Sequence, residues 1–303
     1  MNATVAATRH PEMLEKIANG QGFIAALDQS GGSTPGALKG YGIGEDAFSN
    51  DEEMFGLIHQ MRSRIITAPS FGGGKVIGAI LFERTMDGVA DGKPVPQLLW
   101  ERGVVPFLKV DKGLADEADG VQLMKPNPDL EALLDRANAK GIFGTKMRSV
   151  IKLANPAGIA AVVAQQFDEA RRILAKGLMP IIEPEVSIKS PERDAADRIM
   201  LAEILKQLDA LPDGEKVMLK LTIPAEAGLF QPLVDHPKVL RVVALSGGFT
   251  REEACRELAK NPGMIASFSR ALLSDLRADQ SDEEFDRTLG TAIDEIHSAS
   301  VAA

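Results

Sequence analysis

The sequence predicts an α/β fold, a single (β/α)8 TIM barrel filling residues 1–303, with an N-terminal helix and a C-terminal helical extension. Three observations predict it. Short apolar, β-prone stretches alternate with segments of helical periodicity, the pattern of a parallel sheet covered by helices. Eight such units fit into 303 residues, the size of one closed barrel. Charged residues interrupt several of the apolar strands, as expected where strand ends converge on a common mouth. A doubly wound open sheet is the runner-up. Against it, no G-x-G-x-x-G opens the first helix, and the unusual residues do not gather at one switch point.

Pro11 to Ala18 reads as a helix, with Pro11 in its first turn and Asn19-Gly20 as its stop. Strand one is Gly22 to Leu27, ending in Asp28-Gln29-Ser30-Gly31-Gly32-Ser33. A helix from Asp51 to Arg64 carries Met54, Phe55, Ile58 and Met61 on one face. Strand two is Lys75 to Phe82. A short helix from Gln97 to Arg102 precedes strand three, Val104 to Val110. Asp129 to Lys140 is amphipathic helix, and strand four, Ile142 to Ile151, holds Lys146 and Arg148.

Ala157 to Lys176 is a long helix stopped by Gly177, followed by strand five, Met179 to Glu183. Ser190-Pro191 reads as the N-cap and first-turn proline of the next helix. Strand six, Val217 to Thr222, lies between the turn Pro212-Asp213-Gly214-Glu215 and Ile223-Pro224. A short helix from Glu226 to Val234 leads to strand seven, Val239 to Leu245. Thr250 with Glu253 forms a capping box for a helix through Lys260, and Met264 to Phe268 is strand eight. A second capping box, Ser281 with Glu284, opens the last helix. Its apolar face is Phe285, Leu289, Ile293 and Ile296, so its structural role is expected to end near Ile296.

Hydrophobic residues at 45% and charged residues at 25% suffice for a large core. A net charge of −9 argues against nucleic acid as a partner. The single cysteine, Cys255, excludes an internal disulfide and suits a reducing cytoplasm. MNATVAATRHPEM has no apolar run long enough for a signal peptide or membrane span, so a cytoplasmic protein without a membrane partner is expected. None of the four histidines sits in a strand-like run, so no metal site is expected. No other cofactor is expected either, and a homo-oligomer is left open.

Val217-Met218-Leu219-Lys220-Leu221-Thr222 carries a lysine inside a strand expected to be buried on both faces. Lysine is almost never fully buried without a partner or a task. Lys109, Lys146 with Arg148, and Glu183 repeat the anomaly on other strands, which points to one shared polar site. Lys146 and Arg148 share parity and face the same side. A second cation beside Lys220 would ease loss of its proton and make it a nucleophile toward carbonyls. Glu183 can then shuttle the proton that expels water from a carbinolamine, or simply pair with a lysine. Ser246-Gly247-Gly248 precedes a helix and can meet an anion through backbone N–H groups, and Arg270 can bind the same anion. Ser30 to Ser33 makes a second small-residue loop, so a substrate phosphorylated at both ends is suggested.

These segments resemble, in order, those of the class I (Schiff-base) fructose-1,6-bisphosphate aldolases. Ala25-Ala26-Leu27-Asp28-Gln29-Ser30 is similar to the family's strand-one segment, and Leu108-Lys109-Val110-Asp111-Lys112-Gly113 to its IKVDKG. Thr145-Lys146-Met147-Arg148 resembles K-x-R, Pro180 to Glu185 resembles P-I-V-E-P-E, and Leu219-Lys220 resembles L-L-K. Leu245-Ser246-Gly247-Gly248 and Ser269-Arg270-Ala271-Leu272 resemble L-S-G-G and G-R-A-L. The resemblance implies Lys220 as the Schiff-base lysine, Glu183 as acid/base, and Asp28 and Lys146 as catalytic. It implies Lys109 in the active site and Ser246, Gly247, Gly248 and Arg270 at phosphate; the residues themselves add Arg148 as an anion clamp and Ser30 and Ser33, of the second small-residue loop, to the substrate-binding set.

The implied reaction is reversible cleavage of fructose 1,6-bisphosphate to dihydroxyacetone phosphate and glyceraldehyde 3-phosphate, in glycolysis or gluconeogenesis. There are departures. No tyrosine ends the chain, Leu221 stands where familiar eukaryotic members have proline, and Ser269 where they have glycine. These fit a shorter bacterial branch and leave open which group transfers the late C3 proton. The alternatives are a Schiff-base aldolase or transaldolase for another sugar phosphate, and a non-catalytic scaffolding barrel. Retention of Lys220, Glu183, Lys146 and Asp28 together argues against the last.

Overall fold

The computed structural model describes residues 10–30, 32–72 and 74–302. Its β-branched and apolar stretches form eight parallel strands in chain order. They are β1 (Phe23–Leu27), β2 (Val76–Leu81), β3 (Val105–Lys109), β4 (Gly144–Ile151), β5 (Met179–Val186), β6 (Val217–Thr222), β7 (Val239–Leu245) and β8 (Met264–Ala266). Each pairs with the next. The Ala26 N–H donates to Phe268 O at 3.1 Å, which joins first strand to last. The expected (β/α)8 barrel is therefore the fold; an open sheet would leave those two edges apart.

Strand alternation divides the barrel interior into two levels. Ile24, Ile80, Phe107, Ile181, Met218, Val243 and Ile265 form a buried apolar plug, closed from below by Met13 and Ile17 of the helix Pro11–Asn19. Two residues further along their strands, on the same face, stand Lys109, Glu183 and Lys220. The plug thus sets a low-dielectric floor under a layer of charge. Outside, helices bury amphipathic faces against the strands. The helix Pro156–Ala175 is an example, burying Ile159, Val162, Val163, Phe167, Ala170 and Ile173. Among the described residues no helix is long and apolar enough to cross a membrane.

Both expected capping boxes form, Thr250 with Glu253 and Ser281 with Glu284. Several boundaries differ. β5 continues past Glu183 to Val186, because its pairing with β4 runs on to Ile151 despite Pro184. The helix expected at Ser190-Pro191 is Arg193–Ala210. Ser190 N–H turns back to Ser187 O and Glu192 reaches over to Ala154 N–H, so these residues form a turn. The segment from Glu226 is helical only over Gln231–Val234, since Gly228 N–H is taken by Asn261 Oδ1 at 2.9 Å. A helix Thr34–Gly40, with Pro35 in its first turn, was not expected. The last helix does not finish its structural work near Ile296. It runs Asp282–Val301 and buries Ala299 and Ser300 as well.

Candidate active site

The charged layer is assembled by register. Lys109 pairs with Lys146 across β3 and β4, and Arg148 with Glu183 across β4 and β5. Inward parity brings Lys146, Glu183 and Lys220 together, and all three are buried. One carboxylate oxygen of Glu183 lies 3.2 Å from Lys220 Nζ and the other 2.6 Å from Lys146 Nζ. Lys146 also donates to Asp28 Oδ2 at 2.8 Å, at the end of β1. The result is a buried chain, Asp28–Lys146–Glu183–Lys220, drawn from the end of β1 and the interiors of β4, β5 and β6. The expected second cation is there, but Lys220 does not meet it directly; Glu183 stands between.

Burial opposes ionisation of Asp28, but the fields of Lys146, Lys220 and Lys109 outweigh it and hold its carboxyl well below the usual range. Burial likewise opposes charge on Lys146, yet Asp28, Glu183 and Asp111 push its ammonium well above the ordinary lysine range. Asp28 and Lys146 are therefore a fixed anion and a fixed cation.

Glu183 is fixed from behind. Its backbone N–H donates to Oε1 of Gln166 at 3.0 Å, and Gln166 Nε2 donates to Ser149 Oγ on β4 at 3.1 Å. Lys109 Nζ is paired with Asp111 Oδ1 at 2.5 Å, and Asp111 also accepts from the N–H groups of Gly113 and Arg148. Arg148 shares the parity of Lys146 as expected, but lies nearer solvent with Nε 2.5 Å from Glu185 Oε2.

At the rim, Ser246 is buried and Gly247 and Gly248 take φ of 61° and 117°, a left-handed pair that exposes consecutive N–H groups. A side chain at Gly248 would sit 3.5 Å from Arg270 Nη2, so this loop and Arg270 are neighbours. Across the mouth, Ser33 Oγ accepts from Ser30 N–H at 3.1 Å and donates to Ser30 O. Gly31, between them, lies outside the described residues. Among the described residues no three His, Cys, Asp or Glu side chains are grouped to hold a metal ion.

Sequence did not single out Gln166, Arg62 or Gln29. Gln166 sits on the apolar stripe with Val162, Val163 and Ala170, and Arg62 on the stripe with Ile58, Ile65 and Ile66. A polar residue on an otherwise apolar helical stripe was the signal available. Gln29 carried none.

The family model of the glycolytic class-I fructose-bisphosphate aldolases matches residues 12–220, more than half of the chain. The chain belongs to the class-I fructose-bisphosphate aldolase family. The matched range contains Asp28, Lys109, Lys146, Glu183 and Lys220, and membership makes the protein a Schiff-base aldolase, a carbon–carbon lyase. A fructose-bisphosphate aldolase from Plasmodium falciparum, solved with TRAP and a small-molecule inhibitor, superposes with TM-score 0.79 at 20% identity, covering 99% of this chain and 95% of that one. Cgl0159 from Corynebacterium glutamicum superposes with TM-score 0.57 at 13% identity, covering 98% and 94%. At these identities both are likenesses of fold, and they extend the likeness of the barrel to the residues beyond 220.

Proposed function

We propose that this aldolase cleaves fructose 1,6-bisphosphate reversibly into dihydroxyacetone phosphate and glyceraldehyde 3-phosphate, in the cytoplasm and in glycolysis or gluconeogenesis, without a metal ion. The observation that carries the reading is the Glu183 carboxylate held between two buried lysines, 3.2 Å from Lys220 and 2.6 Å from Lys146. Lys220 gives a proton to Glu183 and its free amine adds to the C2 ketone. Glu183 returns the proton to the carbinolamine oxygen, water leaves, and an iminium forms on Lys220. Lys146, locked in its charged form by Asp28, steadies the departing oxygen.

Glu183 next takes the proton of the C4 hydroxyl. The C3–C4 bond breaks, glyceraldehyde 3-phosphate leaves, and the bonding pair enters the iminium to give an enamine. Protonation at C3 and hydrolysis of the imine release dihydroxyacetone phosphate and regenerate Lys220. Asp28 is the weaker candidate for the C4 proton, because an acid held so far below its ordinary range is a poor base. Its role in this scheme is electrostatic. In this scheme Ser246, Gly247, Gly248 and Arg270 hold the C1 phosphate, and Ser30 and Ser33 the other, with Lys109 and Arg148 between them.

Borohydride reduction in the presence of dihydroxyacetone phosphate, followed by peptide mapping, tests the scheme. Label on the Lys220 peptide with loss of activity is expected. Label on Lys146 or Lys109 overturns the assignment.

A further inference from the structure

Arg62 is the one charged residue among the largest fully buried side chains, 1% exposed, and the scheme above does not use it. It comes from the helix Asp51–Thr67 and reaches under the barrel mouth. Its guanidinium meets only neutral acceptors: Nη1 donates to Thr85 Oγ1 at 2.9 Å, and Nη2 donates to Gln29 O and to Gln29 Oε1. Its Nε has no hydrogen-bond partner, and among the described residues no carboxylate lies within ion-pairing distance. Burial pushes this guanidinium down to about 10, against the field of Asp28. A buried cation without an ionic partner is costly. Arg62 spends its donors instead on two neutral residues, Thr85 through Nη1 and Gln29 through Nη2.

Gln29 is placed between two parts of the site. It follows Asp28, which is bonded to Lys146, and precedes Ser30. With Oε1 held by Arg62, its Nε2 is aimed across the barrel seam and donates to Ser269 Oγ at 2.6 Å. Ser269 immediately precedes Arg270. The seam between β1 and β8 carries the backbone bond from Ala26 N–H to Phe268 O; the Gln29–Ser269 bond continues it above the strand ends. Asp28 and Arg270 are thus joined by one side-chain relay, Arg62–Gln29–Ser269. The serine at 269, a departure noted in the sequence, supplies the oxygen that the relay requires.

We propose that Arg62, acting through Gln29 and Ser269, is a positioning residue that sets the spacing between Asp28 and Arg270 and so the fit of the substrate's C1 phosphate. The proposal rests on reading the mouth as a phosphosugar site. Its test uses the full chain with Ser269→Ala, Ser269→Thr, Arg62→Met and the double variant Arg62→Met/Ser269→Ala. Ser269→Ala is expected to raise KM for fructose 1,6-bisphosphate about five- to tenfold with kcat within about twofold, and Ser269→Thr, which keeps the hydroxyl, to restore KM. The double variant should be no worse than Arg62→Met, since both changes cut one relay. Hydrogen exchange over residues 26–30 should quicken in Ser269→Ala, although the substitution lies across the seam. If Arg62→Met does not fold, Gln29→Leu takes its place in the cycle.

An unchanged KM in Ser269→Ala, or losses that simply add in the double variant, would overturn the relay. A wild-type protein that traps no imine sinks the proposed function instead. Exchange alone then decides: quickened exchange over residues 26–30 upholds the relay, and unaltered exchange overturns it.

Discussion

Ser300 Oγ accepts a hydrogen bond from the Ala266 N–H at 3.0 Å, so the end of the last helix is bonded directly to the last barrel strand. The same hydroxyl donates to Ile296 O at 2.9 Å, and the side chain is buried. Ser300→Ala strands a buried backbone donor, at a cost of about 1–3 kcal/mol. Deleting residues 298–303 also removes the buried Ala299, so it should destabilise more. Urea denaturation of both variants checks this. Stability equal to wild type in the deletion would show that the helix end is dispensable.

Asp197 gives a pH-dependent expectation. It is buried on the helix Arg193–Ala210 and accepts from the Ala225 N–H at 3.0 Å, at the loop that follows β6. Burial pushes its carboxyl up from 3.8 to about 6. An acid with a raised folded value binds its proton more tightly when folded. The stability it supports is therefore full below 3.8 and is lost as pH rises through about 6. Asp197→Asn keeps an acceptor for Ala225 and removes the charge. It should stabilise the fold at pH 7 by up to about 3 kcal/mol and do nothing below about pH 4. Equal effects at both pH values would mean that the charge is compensated.

Arg270→Ala should lower kcat/KM for fructose 1,6-bisphosphate about ten- to a hundredfold, the worth of a charge-assisted contact to phosphate. Because Arg270 adjoins the Ser246-Gly247-Gly248 loop, the loss should be far smaller on a substrate lacking the 1-phosphate. Similar losses on both substrates would make Arg270 structural.

Activity should survive exhaustive EDTA treatment. In the proposed scheme the iminium on Lys220 serves as the electron sink, and the carboxylates of the central chain are already ion-paired with lysines. A loss restored by zinc or cobalt would remove the metal-free mechanism.

The barrel was legible because strand and helix periodicities alternate through most of the chain, and the candidate site because Lys109, Lys146, Glu183 and Lys220 break apolar runs. Less legible was whatever depends on side chains meeting across distant segments. That Glu183 intervenes between Lys220 and Lys146 follows from strand register, which spacing along one strand does not encode. Gln29 is an unremarked residue in a glycine- and serine-rich loop until Arg62 and Ser269 are brought to it by barrel closure. Ser300 looked like tail because only its fold neighbour, Ala266, makes it structural.

Gln166 offers the sharpest separation of position from chemistry at Glu183. It does not touch substrate space; its amide sits behind the strand, accepting from the Glu183 N–H and donating to Ser149 Oγ. Gln166→Met keeps length and apolar packing but removes the acceptor, leaving a buried N–H at about 1–3 kcal/mol of stability. Glu183 would then gain freedom to drift from one of its two lysines. Steps that pass a proton through Glu183 should slow, with kcat falling about tenfold while KM moves less than about threefold. The borohydride trapping rate with dihydroxyacetone phosphate should fall in parallel, since in the proposed scheme iminium formation needs Glu183 in place. Ser149→Ala removes only the anchor of Gln166 and leaves the acceptor, so its effect should be several-fold smaller. A Gln166→Met variant that loses stability but keeps its trapping rate and kcat would show that Lys146 and Lys220 alone hold Glu183.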